Sequence, residues 1–392
     1  MNPSLSVEKV IRNMQECFPK ANKIEIEEKD FVEGHQHYVG DIIRLTLKYE
    51  EDGTERKKYL IFKVPKDGVS AAVFSGLDFI VRESFVYDKI IPLINEYLDE
   101  ALAPNYYKTI DSKIIVLDNL VEFGYDGGEN NRQLCGLDEC LSILKALADF
   151  HATTHKVLQT KPNLLEPKMF QYSPILEFRQ TLAAFYEPIL VELLVKNDAS
   201  FLIPKLKKAN SCILTDDGDI ASRVHYSNFK FNTLNHGDFR KDNVLLKYGP
   251  NNSVEGVKFV DFQTCFWSTP VYDFMYFIIE SAKWQVIDNH YETLLDWYLK
   301  CLNEKLEKLN CPQVYQRQHF EEDIKKLDIC FFIHVLVAAV MLCPSDRNKL
   351  LDEVFQGNKE NTDYYMEACL KDEIFTSSIL SGLKLCHKLG LF

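Results

Sequence analysis

The hydrophobic pattern of this chain changes once, and that change limits the folds it can adopt. From about residue 30 to 117, apolar residues form short runs of the kind that build strands, as in 42–49 and 57–64. From residue 137 onward they recur at the spacing of helices, except around residues 236–262. The pattern predicts an α+β protein whose N-terminal antiparallel sheet is followed by a larger, mainly helical part.

The N-terminal pattern also predicts the order of the elements. Asp52-Gly53, between the two strand-like runs, is a strong signal for a hairpin. A helix over 77–91, stopped by Pro92, and a strand over 113–117 follow. A chain of 392 residues exceeds the usual size of one core, so two lobes are expected. The polar, glycine-containing segment near 118–128 marks their boundary and divides the chain into 1–117, a hinge at 118–124, and 125–392.

Composition excludes several classes of protein. The formal net charge is -13, and no basic block is present, so a nucleic acid is not expected as the principal partner. Eleven scattered cysteines without a C-x-x-C pair argue against a disulfide framework and a zinc site, and they favour a reducing cytosol. We therefore expect a cytoplasmic protein, and the sequence indicates no obligatory protein partner.

The sequence does not predict a membrane protein. The N-terminus lacks the apolar stretch of a signal peptide and is typical of a short amphipathic helix. The longest apolar run, 329–343, is shorter than the roughly 18 to 20 residues that span a bilayer, and it contains His334. This run is predicted to be a buried helix.

The stretch H-G-D-F-R-K-D-N-V-L-L, at 236–246, predicts a polar site. The following sequence reads as a hairpin, whose antiparallel pairing would place Asn243 beside Asp261. Asp238 lies a few residues upstream of the first strand. Carboxylate and amide oxygens of this kind are suitable ligands for Mg²⁺ when the phosphates of a substrate complete its coordination.

Two charged residues stand on apolar faces in the N-terminal region. Lys63 lies among apolar strand residues, and Glu83 lies within the helical stripe of Phe79, Val86 and Ile90. A buried carboxylate needs a cation, so Lys63 and Glu83 could pair and leave the ammonium facing a phosphate. The alternative is that Lys63 reaches solvent along its apolar stem and Glu83 borders the stripe.

Together these residues resemble the set that defines protein-kinase-like phosphotransferases: Lys63, Glu83, the H-x-D-x-x-x-x-N loop, and V-D-F-Q around Asp261. The short connection from V-D-F-Q to T-P-V-Y-D-F, without A-P-E, points to small-molecule kinases of the choline kinase and aminoglycoside phosphotransferase group. More closely, the chain resembles the insect ecdysteroid kinase-like family, also called CHK kinase-like. The resemblance runs from about residue 30 to 280 and is carried by the blocks Y-V-G-D-I-I-R-L-T-L-K-Y, I-V-R-E-S-F-V-Y-D-K-I-I-P, I-I-V-L-D-N-L, G-L-D-E-C-L-S-I-L-K-A-L-A-D-F-H-A and H-G-D-F-R-K-D-N-V-L-L-K-Y.

The resemblance implies a role for each matching residue, with ATP and Mg²⁺ as cofactors. Asp238 would be the catalytic base, and Asn243 and Asp261 would hold the metal. The nucleotide would be bound by Lys63 with Glu83, by the backbone of Asp118, Asn119 and Leu120, and by the segment from Gly34 to Gly40. His236 and Asp273 would support the catalytic loop, and His151 continues an apolar helical stripe as a core or lobe-supporting histidine.

The implied reaction is ATP-dependent phosphorylation of a hydroxyl on a small molecule, with an ecdysteroid or another hydroxylated apolar compound as the leading acceptor. A pseudokinase that binds a ligand or scaffolds a partner is one alternative, and a kinase for a choline-like cationic alcohol is another. Arg240 and Asp242 depart from the usual family residues, as does Asn119. Arg240 could add positive potential near the phosphoryl group, but we expect it to face water because exposed charges are the norm.

Overall fold

The computed structural model describes residues 12, 14–31, 40–65, 79–109, 114–126, 132–165, 170, 176–215, 220–355 and 362–391. The chain divides into two compact units, one of residues 1–127 with 245–264 and one of 128–244 with 265–392. The fold class is mixed α+β, with an antiparallel N-terminal sheet and a mainly helical C-terminal part, as predicted. The division into two lobes with a hinge at 118–124 stays a prediction.

The first unit is built on a five-stranded sheet in the order β1-β2-β3-β5-β4. All neighbouring strands are antiparallel, and the strands are β1 (Asn22–Phe31), β2 (Gly40–Glu51), β3 (Thr54–Pro65), β4 (Tyr106–Tyr107) and β5 (Ile115–Asp118). Alternate residues of β2 and β3, including Ile43, Leu45, Leu60 and Phe62, form its core. The predicted hairpin of β2 and β3 is confirmed. Strand β1 was not predicted from the sequence, because most of its residues are charged and only a few apolar residues stand between them.

The helix that follows the hairpin does not stop where its proline predicts. It consists of α1 (Phe79–Phe85), one π-helical turn (Val86–Ile90) and α2 (Ile91–Asn95), so the prediction that Pro92 ends it is wrong. The Ile91 N–H bonds to the carbonyl of Val86, five residues back, so the hydrogen-bond ladder has already shifted. Pro92 then stands in the first turn of α2, where no N–H donor is required.

The predicted second hairpin is confirmed. Strands β7 (Val244–Tyr248) and β8 (Val254–Phe259) form a two-stranded sheet, and most of it belongs to the first unit through residues 245–264. Tyr125 of the same unit makes a β-bridge with Lys247, and the Asp126 N–H donates to the carbonyl of Leu246. These bonds attach the segment after β5 to the hairpin.

The second unit is mainly helical. A small antiparallel pair, β6 (Thr233–Asn235) and β9 (Phe266–Ser268), lies in it. The helices are α3 (Leu137–Thr160), α4 (Leu176–Lys196), α5 (Ile203–Thr215), α6 (Ile220–Arg223), α7 (Val271–Ser281), α8 (Trp284–Lys308), α9 (Arg317–Lys326), α10 (Asp328–Met341), α11 (Arg347–Phe355), α12 (Thr362–Lys371) and α13 (Glu373–Lys388). Every residue of α7 is buried, so this helix lies at the centre of the unit.

The apolar run at 329–343 is the buried helix α10, as predicted. Within the described ranges, no helix is long and apolar enough to cross a membrane. All eleven cysteines carry free thiols.

Candidate active site

In the first unit, one lysine is shared by two carboxylates. Lys63 Nζ lies 2.7 Å from Glu83 Oε2 and 2.5 Å from Asp261 Oδ1. Strand β3 carries Lys63 and helix α1 carries Glu83, and both side chains are buried. The ion pair predicted from two misplaced charges is therefore present, and Lys63 does not reach solvent along its stem.

Burial and pairing act against each other in this group. Burial of the Lys63 ammonium opposes its charge most strongly, but Asp261 and Glu83 together outweigh burial and raise the pKa of Lys63. Burial, with a smaller contribution from Asp261, raises the pKa of Glu83 to about 7, although Lys63 acts to lower it. One ammonium thus holds two carboxylates.

Asp261 has an unusual backbone. It follows β8 with a φ of 68°, in the left-handed region that residues other than glycine rarely adopt. Its carboxylate is 23% exposed, and Oδ2 accepts a hydrogen bond from Gln263 Nε2 at 3.2 Å. Such conformations cost about 1–3 kcal/mol and persist where surrounding contacts hold them, often at functional sites. The strained turn after β8 brings the carboxylate of Asp261 to the ammonium of Lys63.

The residues expected to receive adenine lie at the end of β5. The backbone N–H of Asp118 donates to the carbonyl of Asn105, and that of Asn119 donates to the carbonyl of Tyr59. The Asp118 carboxylate accepts from Tyr107 Oη at 2.8 Å and from Asn105 Nδ2 at 2.7 Å. Leu120 begins a 3₁₀ turn. Gly34 lies outside the described residues, as does the rest of 32–39.

In the second unit, the loop after β6 is held by one buried aspartate. Asp273, on α7, accepts hydrogen bonds from the backbone N–H of His236 at 2.6 Å and of Gly237 at 3.0 Å. Gly237 has a φ of 83°, which glycine adopts without strain. His151 Nε2 lies 3.3 Å from the Asp273 carboxylate, and its Nδ1 lies 2.7 Å from Tyr298 Oη. These contacts fix the turn at Gly237, and Asp238 is the next residue along the chain.

The histidines of this unit differ in their surroundings. Burial lowers the pKa of His151, although Asp273 opposes the shift, so a neutral imidazole is favoured there. His236 is fully buried and lies edge-on to Phe239, with ring centroids 5.8 Å apart. His236 contacts Asp273 through its backbone N–H.

Asp238 accepts hydrogen bonds on both carboxylate oxygens. Asn243 Nδ2 donates to Oδ2 at 2.9 Å and to the Asp238 carbonyl at 2.8 Å, while Tyr276 Oη donates to Oδ1 at 2.6 Å. Arg240 Nε lies 3.3 Å from Oδ1. Burial acts to raise the pKa of Asp238, but Arg240, Tyr276, His236 and Asn243 together lower it. The carboxylate is therefore ionised at neutral pH.

Arg240 corrects one expectation from the sequence. It was expected to face water, but it is 9% exposed and lies between Asp238 and Asp242, whose Oδ2 is 3.1 Å from its Nη1. Two carboxylates offset the cost of burying the guanidinium, which a sequence pattern cannot reveal.

Tyr276 was also not assigned to the site. Its signal was present in V-Y-D-F-M-Y, where it stands one turn after Asp273.

The predicted site residues thus form two groups, each described within its own unit. One contains Lys63, Glu83 and Asp261, and the other contains His236, Asp238, Asn243 and Asp273. No cluster of three or more His, Cys, Asp or Glu side chains suited to a metal occurs in the described part of the chain. Mg²⁺ in kinases needs only one or two protein carboxylates because phosphate oxygens complete its shell, so the predicted donors fit this ion. Joint ligation by Asn243 and Asp261 stays a prediction.

Among family models, that of the ecdysteroid kinase-like family matches residues 34–311 of the chain. The chain belongs to the ecdysteroid kinase-like family. It is accordingly a small-molecule kinase by class, a phosphotransferase with an alcohol group as acceptor. All the predicted catalytic and metal-binding residues lie inside the matched segment of this ecdysteroid kinase-like chain.

Comparison with curated proteins gives no match. Among solved structures, an ethanolamine kinase from Plasmodium vivax has 11% identity and a TM-score of 0.39, with 93% of this chain and 82% of that chain covered. A choline/ethanolamine kinase family protein from Mesorhizobium loti has 13% identity and a TM-score of 0.35, with 89% and 94% covered. These likenesses are too low to carry an argument about this chain.

Proposed function

We propose that this chain transfers the γ-phosphoryl group of ATP, with Mg²⁺, to a hydroxyl of an ecdysteroid or a similar hydroxylated apolar compound. The observation that supports the proposal most directly is that Asp238 is held as an ionised carboxylate in a chain of this kinase-like family. Asn243 and Tyr276 hold its carboxylate in place, and its pKa is lowered, so an ionised base is ready to receive a proton.

Asp238 is proposed to accept the proton of the attacking hydroxyl. Each carboxylate oxygen has a second lone pair besides the one that Asn243 or Tyr276 occupies, so the acceptor hydroxyl can donate without displacing either. Asn243 fixes the orientation of the carboxylate, since it bonds to both the side chain and the backbone carbonyl of Asp238. A positioned base of this kind contributes about 10² to 10⁴ in rate.

Lys63 and Asp261 are proposed to act on the nucleotide. Lys63 would contact the α- and β-phosphates while Glu83 holds its ammonium, and Asp261 with Asn243 would bind the metal. When bound, Mg²⁺-ATP supplies the phosphoryl group, and the metal neutralises charge on the phosphates. In the structure Lys63 is paired with Asp261, so the lysine would be shared between this carboxylate and the nucleotide.

Adenine is proposed to bind at the backbone of Asp118 to Leu120. The N–H groups of Asp118 and Asn119 already donate to carbonyls of the same unit. Adenine recognition would therefore fall to the N–H of Leu120 and to carbonyl oxygens of this segment, which have a second lone pair. A cytoplasmic location is part of the proposal, and the eleven free thiols support it.

The test is acceptor-dependent consumption of ATP by the purified chain with Mg²⁺, across ecdysteroids, hydroxylated plant compounds and choline. Asp238→Asn should lower kcat by about 10² to 10⁴ while ATP affinity changes little. Asp288→Asn, at an exposed aspartate of α8, is the matched control and should keep full activity.

Each result leads to a definite reading. Turnover that depends on a steroid and is lost in Asp238→Asn supports the proposal, whereas undiminished turnover in that variant removes Asp238 from the base role. A choline-dependent reaction would replace the acceptor class. ATP binding without turnover on any acceptor would favour a pseudokinase.

A further inference from the structure

A second set of buried polar side chains lies beside Asp238 in the second unit. Tyr272, Tyr276 and Glu280 follow one another at four-residue spacing on α7, so they form a single stripe. His334 of α10 packs against this stripe, with ring centroids 4.8 Å from Tyr272 and 4.5 Å from Tyr276. Since Tyr276 Oη donates to Asp238, one tyrosine connects the proposed base to His334.

Two members of this set have polar atoms without hydrogen-bond partners. His334 is 1% exposed, and neither of its ring nitrogens has a partner within the described residues. Glu280 is 5% exposed, and although the Tyr276 hydroxyl lies close enough to influence its pKa, neither of its carboxylate oxygens accepts a well-formed hydrogen bond from a described residue. Tyr276, one turn from Glu280, already donates its only hydroxyl hydrogen to Asp238.

Orphaned polar groups of this kind are rare in folded proteins. A large majority of buried side-chain polar atoms are hydrogen-bonded, and each group left unpaired costs about 1–3 kcal/mol. His334 and Glu280 bring four such atoms to one stripe of α7. These atoms lie beside the proposed base, so an acceptor molecule bound there could supply the missing hydrogen-bond partners.

The protonation of the two groups defines what they could bind. Burial lowers the pKa of His334 to about 3, although Asp238 opposes the shift. Burial also raises the pKa of Glu280 well above its ordinary value, with Arg240 opposing. His334 is then neutral at pH 7 and can donate one hydrogen bond and accept another, while burial favours the protonated form of Glu280, which has the same capacity.

We propose that His334 and Glu280 recognise the acceptor, by hydrogen-bonding a second oxygen function of a neutral molecule whose first hydroxyl lies at Asp238. The acceptor class is thereby an uncharged compound with at least two hydroxyl or carbonyl oxygens. This proposal rests on the proposed function. His334 lies beyond residues 34–311, so the family match does not include it.

A quaternary ammonium compound fits this set less well. Its cation could lie on the faces of Tyr272 or Tyr276, which is a favourable arrangement. It has no N–H to donate, and its single hydroxyl would be used at Asp238, so His334 and Glu280 would stay unpaired. The two classes therefore differ in their dependence on these side chains.

The test compares binding of 20-hydroxyecdysone, of ecdysone, which lacks one hydroxyl, and of choline, each by calorimetry with Mg²⁺ and a non-hydrolysable ATP analogue. The variants are His334→Phe and Glu280→Leu. His155→Phe is the matched control, since His155 is a buried histidine of the same unit whose Nδ1 lies 2.8 Å from the carbonyl of Asn232.

We expect His334→Phe and Glu280→Leu each to weaken steroid binding at least tenfold, with affinity for the ATP analogue unchanged. In the ligand-free protein, His334→Phe should not lower the melting temperature because it breaks no hydrogen bond. His155→Phe should lower the melting temperature and leave steroid affinity unchanged, because it loses a hydrogen bond away from the set. A purely structural His334 predicts the opposite: lost stability and unchanged steroid binding.

The outcomes separate this proposal from the proposed function. Steroid affinity that is equal in wild type and both variants overturns the recognition role, as does tighter binding of choline than of either steroid. Wild type that binds no steroid but phosphorylates another alcohol overturns the acceptor class and leaves the kinase standing. If wild type binds the steroid but consumes no ATP with it, and both variants lose steroid binding, the recognition role is supported and the kinase activity is contradicted.

Discussion

At the scale of single residues, the polar groups of this protein gain their properties from burial. Lys63, Glu83 and Arg240 are charged side chains with less than a tenth of their surface exposed, and each has an oppositely charged neighbour. A buried charge without such a neighbour would cost several kcal/mol. The same burial favours the neutral forms of His334 and Glu280.

A Lys63 variant tests how much the free energy of unfolding depends on pairing of the buried charges. Lys63→Met leaves Glu83 without its cation and should lower the free energy of unfolding by about 3 kcal/mol. The double variant Lys63→Met/Glu83→Leu should recover much of this loss, because no buried carboxylate is then left unpaired on α1. Chemical denaturation of both variants measures the difference, and a double variant no more stable than the single one would contradict the pairing.

Tyr276 should set the acidic limit of activity. Its hydroxyl is one of the groups that lower the pKa of Asp238, so Tyr276→Phe should raise that pKa. A base works only when ionised, and activity is lost as pH falls through its pKa. The acidic limb of the pH profile of kcat should therefore move to higher pH.

The pH profile of Tyr291→Phe provides the control, since Tyr291 is a buried tyrosine of α8 whose hydroxyl lies near Met275 and not Asp238. Its acidic limb should match that of wild type. Coincident acidic limbs in wild type and Tyr276→Phe would show that Tyr276 does not tune the base.

At the scale of elements, local sequence accounts for the hairpins and long helices. The turn between β2 and β3 has Asp52 at φ 52° and Gly53 at φ 75°, the conformation of a two-residue hairpin turn. The helix across Pro92 was less predictable, because a π turn shifted its hydrogen bonds before the proline. Standard helix rules assume an unshifted ladder, and they fail where one extra residue is inserted.

Gly53 offers a test of the turn. Gly53→Ala should cost about 1 kcal/mol of unfolding free energy because its φ is 75°, in the left-handed region, while an added Cβ would meet no side chain or distant backbone atom within 4 Å. The cost is then one of backbone strain alone. Gly53→Asn should cost less, since asparagine tolerates this conformation. Denaturation curves give both values, and equal costs for the two residues would argue against the strain.

At the scale of the whole molecule, ligand binding and stability are linked. If the chain binds Mg²⁺-ATP only when folded, the nucleotide at one hundred times its dissociation constant should raise the unfolding free energy by about 2.7 kcal/mol. Removing Mg²⁺ with a chelator should lower this gain. In Asp261→Asn the gain should depend little on Mg²⁺, because the proposed metal ligand is lost.

Thermal unfolding with and without Mg²⁺ measures this effect, with each variant compared with its own ligand-free form. That reference matters because Asp261→Asn also changes the contact with Lys63. Asp288→Asn should retain the full Mg²⁺-dependent gain. An equal Mg²⁺ effect in Asp261→Asn and wild type would remove Asp261 from the metal site.

The amino-acid sequence by itself determined the order of sheet and helices, the hairpins at 52–53 and 249–253, and the residue types that are proposed to carry phosphotransfer. These follow from local rules, since apolar periodicity and turn residues act over a few positions. The pairing of Lys63 with Glu83 was one of two arrangements that the sequence left open, and the structure decided between them.

Only the tertiary structure decided where polar side chains meet over long distances in the chain. It placed Tyr276 on Asp238, buried Arg240 between two carboxylates, and packed His334 against the stripe of α7. The contacts of Tyr276 with Asp238 and of His334 with α7 join residues 38 or more positions apart, whereas Arg240 lies two positions from each of its carboxylates and only its burial depends on tertiary packing. Periodicity reports that a face is buried but not what covers it, so the character of the proposed acceptor site emerged from packing alone.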